Sequence, residues 1–555
     1  MTGEIGTEIV LDHVVGVVSA AVSLGAVGRG GDLSAQEMRL VEWARRRPPL
    51  SKPQVEHLRE MILAGDDPLG DTLIRLRSQE DRRKTGSFYT PSTIVAPMVE
   101  WVLAQNPETV VDPGCGSGRF AATVARLSPE TRLIAVDKDA HATLVTRAIL
   151  AVLKPRYSTV INTDFLTMPS IPRTPGRRIG WIGNPPYVRH QLTTRAQKKR
   201  GVAMAAMVGH ESLMTVGLHA LFFTKTKLLA EAGDIGCYVT PSEWIDNRSG
   251  RIVRDLFMNG LGGESVVTLD PGSFAFAGVK VTAAITSFVV GSESKIRRFA
   301  FDVQVADLAK GLRTIGQDIE TSALTTTRGW SRVVGNPTGM PDTGPTIGDL
   351  FHVHRGTATG TNGYWVMTRG EAKERGLSKY AVPTITRAEE IISAVGELKK
   401  SPELKVTISF PKMTDRKEDR DVDAFIRCGE RADENGLIVS QGSNAQKRSK
   451  PWWSISMQRP AIVATYMARR PPTFAANPDN VAILNIAIGL DPKVKMDAAA
   501  IAIVVKALNG AAPDFDAYAV TYFGNLRKFE PKTVISLPLP AALHHLLPQM
   551  RTLRF

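Results

Sequence analysis

From Thr85 to about Gly291 the sequence alternates short apolar, β-branched runs with longer stretches of helical spacing. The runs are TVVD, RLIAVD, TVINTD, RIGWIG, DIGCYVT, ESVVTLD and VTAAITSFVV. Parallel strands need a crossover, usually a helix, so this alternation predicts an α/β domain built on a parallel sheet with helices on both faces. Ligands of such sheets bind beyond the carboxyl ends of the strands. The residues that close these runs are therefore the ones to read for chemistry.

The remainder of the 555 residues divides around that core. Residues 1–80 read as a helical extension: SAQEMRLVEWARR and SKPQVEHLREMILAG carry apolar residues at helical spacing, with Ser34 and Ser51 as caps. No chemistry is evident in them. The α/β pattern occupies 81–300 and residues 301–346 read as a connector. Residues 347–555 form a further domain that mixes strand-like runs (LKVTISF, AIVATYM, VAILNIAIGL, TVISLPLP), basic clusters and the helical run AAAIAIVVKALNG. Lys and Arg outnumber Asp and Glu by 69 to 55, and a net charge of +14 points to an anionic partner, a nucleic acid or a membrane surface. The apolar run VVGVVSAAVSLGAVG lacks the basic start of a signal peptide and is too short to span a bilayer, so it reads as a buried helix and no membrane partner is expected. The three cysteines form no CxxC pair and the histidines no HExxH, so neither a disulfide framework nor a metal site is expected, and a reducing cytoplasm fits best.

DPGCGSG, Asp112 to Gly118, follows the strand TVV and precedes the helical run RFAATVARL. Gly114, Gly116 and Gly118 let the backbone turn sharply and approach a ligand closely. A dinucleotide fingerprint would want its third glycine where Arg119 stands. Asp112 at the strand end offers a carboxylate to an ammonium group and would repel a pyrophosphate. Asp137, with Lys138 beside it, closes the strand LIAV near the ~20-residue distance at which an acidic residue accepts ribose hydroxyls. Asp164 and Phe165 end TVINT and suit an adenine amino group and a stacked adenine ring. Upstream, in GSFYTP, Tyr89 precedes Thr90 as a helix N-cap and Pro91 at the first helical position, a start suited to a carboxylate. A glycine turn or an Asp ending a strand is often only structural. Four such elements in this order describe a pocket for an ammonium, a carboxylate, a ribose and an adenine, which is S-adenosylmethionine.

NPPY, Asn184 to Tyr187, follows RIGWIG, a strand expected beside the glycine-loop strand. Asn184 would then hang over the cofactor's sulfonium. Pro185 and Pro186 fix the backbone and leave carbonyl oxygens without N–H donors. An amino group could donate to the Asn184 side-chain oxygen and the Pro185 carbonyl, with its nitrogen aimed at the methyl group. Tyr187 supplies a face on which a base could stack. QKKR (Lys198, Lys199, Arg200) and KRSK near Lys447 are candidates for phosphate contacts, or simply solvated faces.

With GSFYTP, DPGCGSG and NPPY in this order, the chain resembles the adenine-specific amino-methyltransferases of bacterial restriction–modification and related phage-defence systems, in their gamma arrangement. The resemblance covers about Thr85 to the C-terminus. It implies a Rossmann-like, seven-stranded S-adenosylmethionine-dependent methyltransferase domain followed by an α+β domain that reads double-stranded DNA. It also implies transfer to N6 of a flipped adenine and, as partners, a separate restriction endonuclease or defence-system subunits. A family phenylalanine on the other face of the flipped base corresponds to Phe276 in FAGVKVTAAI. Arg119 stands where the family more usually has a small residue. The rival readings are methylation of cytosine N4, of RNA or of a protein glutamine, and an inactive binding module that has kept the fold.

Overall fold

The computed structural model describes residues 13–78, 81–82, 86, 89–188, 192–210, 216–270, 282–326, 329–331, 344–434, 436–448, 451–522 and 526–547. By its contacts the chain separates into two units, Met1–Pro337 and Thr338–Phe555.

All seven apolar runs form strands: β1 (Thr109–Asp112), β2 (Arg132–Asp137), β3 (Ser158–Asn162), β4 (Ile179–Gly183), β5 (Ile235–Pro241), β6 (Gly263–Leu269) and β7 (Ala283–Val289). With β8 (Ile296–Val303) and β9 (Gln317–Glu320) they make a nine-stranded sheet in the order β3-β2-β1-β4-β5-β7-β6-β8-β9. Successive side chains alternate between its two faces. Val111, Ile134, Val136, Trp181 and Tyr238 join one apolar core with the Leu218–Leu229 helix. Val110, Leu133, Ala135, Ile182 and Cys237 join the other with the Ser92–Leu103 helix.

The sheet departs from the expected parallel one at β7, which runs antiparallel to both β5 and β6. All but the last residue of β7 is buried, and a run buried on both faces carries no sign of its direction. The expected connector is also corrected. Its first part holds the end of β8 and all of β9, which continue the sheet, and Trp330 is buried against Trp244, Phe257 and Phe299, with ring centroids 5.8, 5.5 and 5.6 Å away.

The N-terminal helices Val14–Ser23, Ala35–Arg45, Lys52–Ala64 and Pro68–Arg75 are not a separate appendage. Their apolar faces share one core with Ala142, Val145 and Ile149 of the Ala140–Leu153 helix. The tie between them is polar: Arg147, with no exposed side-chain surface, donates to Glu37 at 2.8 Å and to the carbonyls of Arg29, Gly31, Asp32 and Val160. Glu37 also closes the capping box of Ser34, as the sequence predicts for that cap. The segment reaches the sheet edge as well, where the Val160 N–H of β3 donates to the Gly30 carbonyl at 2.8 Å.

The second unit holds an antiparallel sheet of Phe351–Arg355, Ala487–Pro492, Ile462–Thr465 and Phe474–Ala476, with a second four-stranded sheet and a three-stranded one. The helix Ala498–Phe515 forms where expected; by length and composition alone it could cross a membrane, and its Val504, Val505, Leu508 and Phe515 are buried in this unit's core. The run TVISLPLP is not a strand. Pro531 opens a short helix, Pro531–Ile535, because its fixed φ suits a first helical turn and its missing N–H would weaken a ladder.

Candidate active site

A cleft of about 950 Å³, counting the space at its mouth, lies beyond the carboxyl ends of β1, β2 and β4. The glycine loop forms its floor. Gly116 and Gly118 take φ of +54° and +88°; a Cβ on Gly116 would lie 2.9 Å from the Tyr89 ring, and one on Gly118 2.9 Å from Thr146. Both positions therefore need glycine for conformation and for space. Asp137 accepts the N–H groups of Gly116 and Asp139, each at 2.9 Å, so the carboxylate expected to meet ribose hydroxyls also braces the loop. Burial raises its pKa, partly offset by those N–H groups.

Asp112 is 1% exposed at the end of β1. Its pKa is pushed well above the usual carboxylate range by burial; the Gly114 N–H opposes this, yet neither oxygen makes a hydrogen bond of ordinary geometry. Next to it, a Cβ on Gly183 of β4 would stand 2.9 Å from Asp112 Oδ1, so only glycine leaves the carboxylate room. At the other end of the cleft Phe165, Leu166 and Phe222 form an apolar wall, with Phe165 and Phe222 centroids 5.3 Å apart. Asp164 accepts the Leu166 N–H at 3.0 Å and the Arg200 guanidinium at 3.0 Å. Arg200, expected at a DNA phosphate, thus pairs with a cleft carboxylate. Lys198 and Lys199 share its helix, Arg195–Met207, and Lys199 is exposed.

Asn184 and Pro186 line the cleft, and Pro185 and Tyr187 lie buried just behind. The Asn184 Nδ2 donates to the Thr90 hydroxyl at 3.0 Å, and the Tyr187 N–H to the Gly86 carbonyl at 3.2 Å. The segment around GSFYTP thus holds the NPPY turn directly. The Ser92–Leu103 helix starts one residue later than predicted, with Pro91 as its cap, which frees the Thr90 side chain for Asn184. Tyr89, Thr90, Gly114, Gly116, Asp137, Lys138, Asp164 and Phe165 all line the cleft; Pro91, Asp112 and Gly118 stand behind its wall. Phe276 falls outside the described residues. Among the described residues no group of three or more His, Cys, Asp or Glu is placed to hold a metal ion.

Three residues of the site carry no mark of their role in the sequence. Arg119 pairs with Asp67 at 2.8 Å and with Asp71, donates to the Thr90 carbonyl at 3.2 Å, and lies over the Tyr89 ring at 5.3 Å. The buried Asp67 also accepts the Ser117 hydroxyl at 2.5 Å. Arg77 lines the cleft and pairs with Asp139. Burial pulls the Asp139 carboxyl upward, but His141 and Arg77 outweigh it and hold it below the usual range. Asp67 caps the Pro68–Arg75 helix, a local arrangement that carries no sign of its partners in the glycine loop.

Sequence models of three families match the chain: "N-6 DNA Methylase" over residues 66–209, "Eco57I restriction-modification methylase" over 181–272, and the C-terminal domain of "Type II methyltransferase M.Eco57I" over 341–553. The type II methyltransferase M.XamI of Xanthomonas campestris pv. amaranthicola is 34% identical over 516 residues, 92% of either chain. The chain belongs to the type II methyltransferases of restriction–modification systems. M.AccI of Acinetobacter calcoaceticus is 22% identical over 407 residues, covering 70% of this methyltransferase and 72% of its own length. Among solved structures, the type IIL restriction-modification enzyme MmeI in complex with DNA superposes with a TM-score of 0.57 at 14% identity, over 93% of this methyltransferase and 78% of MmeI. That likeness is one of fold. The methyltransferase character of the first unit rests instead on the N-6 DNA Methylase match over residues 66–209 and on the identity to M.XamI.

Proposed function

We propose that the chain transfers a methyl group from S-adenosylmethionine to N6 of an adenine flipped out of duplex DNA. The observation that carries this reading is Asn184. It lines one cleft with Asp137, Asp164 and Phe165, one strand away from a buried carboxylate with no hydrogen bond of its own.

The residues present fit the cofactor. Asp112 suits an ammonium, Asp137 ribose hydroxyls, and Phe165, Leu166 and Phe222 a flat purine. S-adenosylmethionine, when bound, supplies a methyl group on a sulfonium. The chain's own task is alignment: the Asn184 oxygen and the Pro185 carbonyl accept the two hydrogens of an amino group and hold its lone pair toward the cleft. Lys198 and Lys199 offer charge to phosphates, and the Tyr187 ring, buried behind the NPPY turn, would stack on a base only by turning into the cleft. Extruding the base costs a few kcal/mol, which contacts by the second unit offset. That unit matches the M.Eco57I C-terminal model throughout and is assigned target recognition, with a separate endonuclease as partner. Incubation with unmethylated duplex DNA and donor, followed by digestion to nucleosides and mass measurement, should yield N6-methyldeoxyadenosine. N4-methyldeoxycytidine alone, or label on protein alone, overturns the reading.

A pH dependence follows. The ammonium favours ionised Asp112, whose pKa burial has raised, so donor binding expels a proton. Donor affinity falls as pH drops through that raised pKa. Calorimetry in two buffers of different ionisation enthalpy should show proton release, and Asp112→Asn should abolish the part due to this carboxyl.

A further inference from the structure

The hydrogen bond from Asn184 Nδ2 to the Thr90 hydroxyl joins two residues that the reading above gives to different substrates, Thr90 to the donor and Asn184 to the acceptor base. We propose that Thr90 is a positioning residue through which the bound methyl donor sets the orientation of the Asn184 amide. The inference rests on the proposed function.

The two ends of an asparagine amide have nearly the same shape, and only their hydrogen-bond partners distinguish them. The distinction decides catalysis here, because an amino group needs an acceptor and a reversed amide would set donor against donor. A threonine hydroxyl has one proton and two lone pairs, so alone it could hold either end of the amide. The carboxylate of a bound donor, held at the Thr90 turn, would draw the hydroxyl proton to itself. The hydroxyl is then left only as an acceptor toward Asn184, and Nδ2 is the end it can take. Oδ1 is thereby turned away from Thr90.

The turn is held stiffly enough for this. Thr90 is 3% exposed, and its carbonyl accepts from Arg119 Nη1 at 3.2 Å. Arg119 is in turn fixed by Asp67 at 2.8 Å and by Asp71. The N-terminal helices therefore act on the acceptor side through three links: Asp67 to Arg119, Arg119 to Thr90, and Thr90 to Asn184.

The test uses the full chain with Thr90→Val, which keeps shape and loses the hydroxyl, and Thr90→Ser, which keeps the hydroxyl. Single-turnover methylation of duplex DNA at saturating donor should slow about five- to ten-fold in Thr90→Val, the worth of one neutral hydrogen bond, and recover to within about two-fold in Thr90→Ser. In parallel, protein labelled with ¹⁵N on asparagine gives an Asn184 side-chain amide signal, identified by its loss in Asn184→Ser. Adding donor at saturation should shift that signal strongly in the wild type and in Thr90→Ser and much less in Thr90→Val, whose fold is checked by its thermal unfolding midpoint. A Thr90→Val defect confined to donor affinity, with full rate at saturation, overturns the inference; so does an amide signal that responds to donor alike in Thr90→Val and the wild type. A wild type that methylates no DNA overturns the functional reading instead, and the amide signal still judges the link.

Discussion

Asn184→Ala should lower the rate of methyl transfer on the order of 10²–10³-fold, the usual loss when one preorganised polar group aimed at the reacting centre is removed. The side-chain oxygen is one of two acceptors proposed to hold the amino group, and its work is to keep the lone pair aligned while the new bond forms. An interaction of that kind is felt most in the transition state, so kcat and kcat/KM should fall together. Donor affinity should change far less, since Asp112, Asp137 and Asp164 stay in place. Asn184→Asp is the sharper control. It is nearly isosteric, but it adds a second carboxylate beside the buried Asp112, and repulsion between like charges should make its activity rise as pH falls. Single-turnover kinetics with separately measured donor binding check both variants. An Asn184→Ala enzyme within three-fold of wild type would sink the assignment.

The second large effect concerns stability. Arg147→Ala should destabilise the first unit by about 3–5 kcal/mol, because it strands a buried Glu37 together with the carbonyls of Arg29, Gly31, Asp32 and Val160. Arg147→Met keeps the volume and should recover little, since Glu37 still lacks its partner. Adding Glu37→Gln to Arg147→Met should restore part of the loss, and the non-additivity measures the pair itself. Urea unfolding at equilibrium, followed on the transition of the first unit, reads these values. A change under about 1 kcal/mol in Arg147→Ala would mean that the N-terminal helices are bound by their apolar faces alone.

How legible this was in the sequence depended on how far apart the interacting residues lie. The strands β1 to β6, the glycine loop and the NPPY turn follow from local pattern, because each is a short run closed by a residue of distinctive chemistry. The direction of β7 did not follow, since burial on both faces erases the alternation that would mark it. Ion pairs across the fold were the least visible. Arg119 and Asp67 are 52 residues apart and Arg147 and Glu37 110, and nothing local marks either partner as more than a surface charge or a cap. The same limit explains Arg200, which sits in a basic run that reads as a phosphate contact while its carboxylate partner lies 36 residues upstream.

The Gly30 carbonyl on the Val160 N–H has a consequence for solubility. An outermost strand with free backbone groups is a template on which other chains can add. Along β3 the N-terminal segment takes up the Val160 N–H through Gly30, and Arg147 of the Ala140–Leu153 helix donates to the Val160 carbonyl, while at the far border β9 is four residues long and three of its side chains are exposed. A truncated protein made to isolate the catalytic unit without its first eighty residues would uncover a strand margin, and precipitation should be among its first symptoms.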